Sequence, residues 1–174
     1  MLGDSIRMGY DEYVKDLLKG RFDVYYDDAD NGRFAAYTLW QVNQLFKKHG
    51  KFDVVHWNNG YWDINSEAPM VDAMHPIDEY LHFLSRIIKE IRSNGAEIIF
   101  ATTTPVLDKG NERVIEYNNA AKKLMADNNI AVNDLYSLML KDKNYYKCED
   151  GLHLTQEGYR VCAKQVAEMI EKIL

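Results

Sequence analysis

Apolar residues recur along the chain at two spacings, and the two alternate. Over 10–18 the spacing is helical, with Tyr10, Tyr13, Val14, Leu17 and Leu18 sharing one side and Gly20 ending the run. A short stretch of good strand formers follows at 22–26 and breaks at the polar cluster 27–32. The helical period returns over 34–49, where Ala35, Leu39, Val42, Leu45 and Phe46 line up, and Gly50 stops it. Residues 52–57 then read as a buried strand running directly into Asn58-Asn59-Gly60.

A long polar and aromatic connection over 61–76 precedes the clearest helix, in which Ile77, Tyr80, Leu81, Leu84, Ile87, Ile88 and Ile91 form one stripe ending at Asn94-Gly95. A strand at 97–103 has the apolar centre Ile98-Ile99-Phe100. A helix through Val114, Tyr117, Ala121, Leu124 and Met125, a short strand at 130–132 and a final helix over 155–173 complete the pattern. Strands separated by helices of this length imply an α/β domain with a parallel sheet and helices on both faces, because parallel neighbours need crossovers. Ligands of such sheets sit outside the carboxyl ends of the strands. That rule gathers Ser5, the loop with Gly32, the loop with Asn58, the turn at Thr104 and the loop reaching His153.

Composition narrows the class. The 174 residues fit one domain, 1–174, and their 47% hydrophobic and 28% charged content is that of a globular chain. A net charge of -6 argues against nonspecific affinity for nucleic acid or anionic membrane surfaces, and no apolar run is long enough to cross a bilayer. Cys148 and Cys162 match neither a zinc spacing nor a disulfide framework, so two free thiols are expected. Met1-Leu2 run straight into the first motif, which leaves the compartment open.

The chemistry begins at Gly3-Asp4-Ser5-Ile6-Arg7. A serine where a strand turns into a helix presents its hydroxyl to solvent and has free N–H groups behind it, a place suited to acyl transfer. The same serine could instead cap the helix. Asp150-Gly151-Leu152-His153 can supply an orienting carboxylate and a base from one loop, or be a turn with a surface histidine. Asn58 and the N–H of Gly32 can donate to an oxyanion, or be ordinary turn residues. Coincidence of place favours the catalytic reading, because all four elements fall on one edge of one sheet.

Those four blocks, in that order, resemble the SGNH (GDSL) hydrolase family, and the similarity continues through Asn133-Asp134-Leu135-Tyr136 and Thr155-Gln156-Glu157-Gly158-Tyr159. The resemblance implies a three-layer α/β/α sandwich with a flavodoxin-like parallel sheet and hydrolysis of esters or thioesters without metal or cofactor. It implies a triad of Ser5, His153 and Asp150 and an oxyanion hole of Ser5, Gly32 and Asn58. Two departures stand out. His56 and Asn59 replace the usual glycine and aspartate around Asn58, and only Met1 and Leu2 remain of the central strand that normally precedes the nucleophile. Losing that strand would leave flanking strands roughly 10 Å apart. The expectation is a truncated start, with re-pairing of the flanking strands or insertion of another chain's segment as alternatives.

Trp57, Tyr61 and Trp62 beside Asn58 could stack on a sugar ring, which would suit removal of acetyl groups from carbohydrate. Trp57 in the core with Tyr61 and Trp62 closing the loop is the other reading. Small-molecule or carbohydrate esters are therefore the expected substrates. A thioesterase or lysophospholipase for longer acyl chains, and a noncatalytic carbohydrate-binding protein, are the alternatives.

Overall fold

Strand β2 (Glu97–Ala101) lies between β1 (Val54–Asn58) and β3 (Ala131–Asn133) in a parallel sheet of order β1-β2-β3. This is a computed structural model, which describes residues 1–66, 70–107, 110–145 and 150–174. The unbroken apolar run in β2 is explained by burial on both faces. Ile98 and Phe100 point with Val55 and Trp57 into a core shared with helices α2 (Ala35–His49), α4 (Ile77–Ser93) and α5 (Asn111–Asp127). Ile99 and Ala101 face the opposite way, against α1 (Ser5–Leu18) and α7 (Gln156–Ile173). The result is the expected three-layer α/β/α arrangement. In the ladder Asn58 pairs with Ala101 and Ala101 with Asn133, so the carboxyl ends of the three strands finish in one row. Among the described residues no helix is long and apolar enough to cross a membrane.

The amino-terminal edge differs from the sequence pattern. Leu2 forms an isolated parallel bridge with Trp57, donating its N–H to the His56 carbonyl at 3.0 Å and accepting from the Asn58 N–H at 3.2 Å. Residues 22–26, expected as a strand, belong to no sheet among the described residues. Their β-branched and aromatic residues favour extension, but extension becomes a strand only beside a partner. A cavity of about 430 Å³ lies there instead, lined by Phe22, Val24, Tyr25, Val54 and His56 among others. The flanking strands have not re-paired across it.

Helix α1 starts five residues before the apolar run 10–18, with Ile6 in its first turn already packed in the core beside Tyr10 and Val14. The connection over 61–76 contains a one-turn helix, α3 (Tyr61–Ile64), and a further short helix, α6 (Leu135–Met139), is capped by Asp134, whose carboxylate accepts from the Ser137 N–H. Cys162 is a free thiol whose burial pushes its pKa up to about 12, and Cys148 lies outside the described residues.

Candidate active site

The turn into α1 is built by Asp4, not Ser5. The Asp4 carboxylate accepts the Ile6 N–H at 3.0 Å as the helix cap, which leaves Ser5 at the first helical position with its hydroxyl unneeded for capping. A Cβ on Gly3 would lie 1.9 Å from Asn58 Oδ1, so the residue before Asp4 must be a glycine for the Asn58 amide to come this close. Burial raises the Asp4 pKa, and the neighbouring Asn58 amide, the Ile6 N–H and Arg7 act against that rise.

The second half of the site comes from the far end of the chain. Asp150 Oδ1 accepts the N–H groups of Leu152 and His153, each at 2.8 Å, which winds the segment into a tight turn. Gly151 takes φ +63°, a left-handed conformation that other residues adopt at a cost, and its carbonyl accepts the Leu107 N–H at 2.9 Å. The turn aims the imidazole both ways. His153 Nδ1 lies 2.7 Å from Asp150 Oδ2, and its Nε2 lies 2.9 Å from Ser5 Oγ. A carboxylate on Nδ1 selects the tautomer protonated there, which leaves Nε2 to accept the serine proton. Hydrogen bonds from the Leu152 N–H, the imidazole and the His153 N–H hold the Asp150 pKa down to about 2.

Asn58 closes β1 and is almost wholly buried beside Gly3 and Asp4. Gly32 also arrives next to this turn, but its N–H donates to the Gly3 carbonyl at 2.7 Å. The expectation that this N–H serves an oxyanion is therefore corrected, because it already has an acceptor. A Cβ on Gly32 would stand 2.6 Å from that same carbonyl oxygen, so close backbone approach is what the position requires.

The substrate-contact expectation for Trp57 is corrected as well. Its side chain is fully buried, edge-on to Phe100, with the indole N–H donating to Asn59 Oδ1 at 3.1 Å. Strand alternation turns it into the α2/α4 layer. Tyr61 and Trp62, on α3, are both partly exposed. Asn59, which stands where the resemblance led one to expect aspartate, uses both ends of its amide. Nδ2 donates to the Arg33 carbonyl at 3.0 Å and to Thr38 Oγ1 at 2.9 Å, while Oδ1 accepts from Trp57, a combination that a carboxylate could not make. His56, in place of glycine, is buried with its pKa lowered to about 3 by desolvation, and Asn133 Nδ2 lies 3.2 Å from its Nε2.

Serine, imidazole and carboxylate stand in hydrogen-bonded series at the carboxyl edge of a parallel sheet, an arrangement chemically capable of acyl transfer. The chain belongs to the GDSL-like lipase/acylhydrolase family, whose model matches residues 1–161, and it is an ester hydrolase of that type. Solved structures share the fold over nearly the whole chain. An acetyl xylan esterase, AlAXEase, is 20% identical with 97% of each chain covered and a TM-score of 0.81. A GDSL-like lipase from Bacteroides thetaiotaomicron VPI-5482 is 18% identical, with 99% of this chain and 87% of that one covered and a TM-score of 0.81. The lipase/acylhydrolase from Enterococcus faecalis is 24% identical, with 98% and 93% covered and a TM-score of 0.79. Among curated proteins none matches the sequence.

Proposed function

We propose that the protein is a serine esterase that removes small acyl groups, acetyl foremost, from alcohol or carbohydrate esters through an acyl-enzyme. The observation that carries this reading is the 2.9 Å contact between His153 Nε2 and Ser5 Oγ, made across 148 positions of chain with Asp150 behind the ring. His153 takes the Ser5 proton as Oγ attacks the acyl carbonyl. The Ser5 N–H and the Asn58 amide then receive the negative charge of the tetrahedral intermediate. Protonated His153 gives its proton to the departing alcohol, and the ring next activates the water that releases the acid. Asp150 holds the tautomer and stabilises the imidazolium.

Two features support a small acyl group. The His153 and Asp150 side chains are 34% and 44% exposed, which describes an open site rather than a tunnel. A structure of the same fold is an acetyl xylan esterase. Tyr61 and Trp62, both partly exposed on α3, are the aromatic side chains assigned to sugar contact in this reading. Turnover of aryl esters from two to twelve carbons, with acetylated xylo-oligosaccharide alongside and Ser5→Ala as control, tests this reading. The rate should fall as the chain lengthens, and a rate that climbs with length would favour the thioesterase or lysophospholipase alternative.

A further inference from the structure

Arg7 is two residues beyond Ser5 in α1, yet only 2% of its surface is exposed. A buried guanidinium is tolerated when its charge is paired and its N–H groups are used, and this one meets both conditions. Nη1 pairs with the Asp11 carboxylate and donates to the Asp27 carbonyl at 2.9 Å. Nη2 donates to the Asp30 carbonyl at 2.7 Å and to the Gly3 carbonyl at 3.3 Å, and Nε reaches that same Gly3 oxygen at 3.4 Å.

The acceptors matter because of what they belong to. Gly3 O is the oxygen that also accepts the Gly32 N–H, and Gly3 has φ +148°, so no side chain fixes the plane of its peptide. Asp27 and Asp30 lie in the segment leading to Gly32, which has no helix or strand to hold it. Asp30 in turn accepts from the Tyr37 hydroxyl at 2.9 Å and from Gln41 Nε2 at 2.7 Å, which carries the connection to α2.

We propose that Arg7 is a positioning residue for the ester hydrolysis, an inference that rests on the esterase reading above. Its guanidinium sets the Gly3 peptide and the 27–32 segment as one unit, and so fixes the Ser5 N–H and the Asn58 amide about the reacting carbonyl without touching substrate. A planar fork can serve three carbonyls and a carboxylate together, whereas a lysine ammonium presents a single point.

The test compares wild type with Arg7→Lys and with the double variant Arg7→Met/Asp11→Leu, which removes the buried pair without leaving a lone charge. Each is measured where circular dichroism shows it folded. Hydrogen exchange over 27–34 should quicken in both variants, and kcat on an aryl acetate should drop by about tenfold to a hundredfold with KM within about threefold. A purely structural arginine would change melting and leave kcat of the folded enzyme alone. Folded variants that keep kcat within about twofold of wild type, or that protect 27–34 equally well, overturn the proposal. A wild type no faster than Ser5→Ala strikes down the hydrolase reading itself, and the positioning role with it.

Discussion

Two Asp–His contacts of nearly equal length occur in different parts of the molecule. His153 Nδ1 stands 2.7 Å from Asp150, and His75 Nδ1 stands 2.6 Å from Asp63. Their surroundings separate them. Asp63 is fully buried, and its Oδ1 also accepts the Ala35 N–H at the start of α2. His75 sits beside the Phe34 and Phe83 rings, and its carbonyl accepts from the Tyr117 hydroxyl. That pair ties α2, α3, α5 and the segment before α4 together. Asp150 and His153 face solvent, and the far ring nitrogen meets a hydroxyl. A carboxylate on an imidazole is therefore a structural tie in one place and, in the proposed reaction, the support of a base in the other; the third partner and access to solvent separate the two.

The contrast breaks most visibly by mutation of the two pairs. His153→Ala should lower kcat on an aryl acetate by about 10⁴-fold or more while the urea midpoint barely moves. Asp63→Ala should do the reverse, costing about 3 kcal/mol or more in urea unfolding because it strands a buried partner and an N–H at the start of α2. If His153→Ala unfolds the protein, or Asp63→Ala spares stability, the two pairs have been assigned the wrong way round.

Asn58→Ala sharpens the catalytic side, with turnover reduced roughly a hundredfold for one lost oxyanion donor. Gly32→Ala should cost less, about tenfold in kcat and about 1 to 3 kcal/mol in stability, because the new methyl must push the Gly3 carbonyl away. An alanine enzyme with wild-type kinetics would mean that close approach there has no bearing on the reaction.

The smallest expected effect is one of sign with pH. Asp150 has a folded pKa of about 2, below its unfolded value, so its stabilising contribution is present above about pH 4 and is lost as pH falls toward 2. Asp63 is raised by burial, against the opposing pull of His75 and the Ala35 N–H, so its contribution is most favourable at low pH and declines as pH rises through about 4 and beyond. Melting curves from pH 2 to 6 should show Asp150→Asn removing a rise in stability with pH, and Asp63→Asn removing a fall. Slopes of the same sign would contradict the two environments.

The blocks proposed as catalytic were legible as turns because each is a local device. Asp150 through His153 forms a self-contained turn, and Gly3 through Ser5 joins a strand position to a helix start, so residue type and spacing carried the information. The order of helices and strands was legible for a similar reason, since their periods are local. What escaped was long-range. Residues 22–26 have strand-forming side chains but no partner beside them. Trp57 is next to Asn58 in the chain, yet strand alternation sends it into the opposite layer. Asp63 and Arg7 look like surface charges in sequence, and only the carbonyls and N–H groups brought to them from distant loops make them interior residues.

The central claim is that Ser5 is a nucleophile activated by His153. Incubation with a fluorophosphonate followed by intact-mass and peptide mass spectrometry tests it directly. One adduct should form on Ser5 of the wild type, form far more slowly in His153→Ala and be missing from Ser5→Ala. A folded wild type that takes no label, or takes it on another residue, would contradict the account.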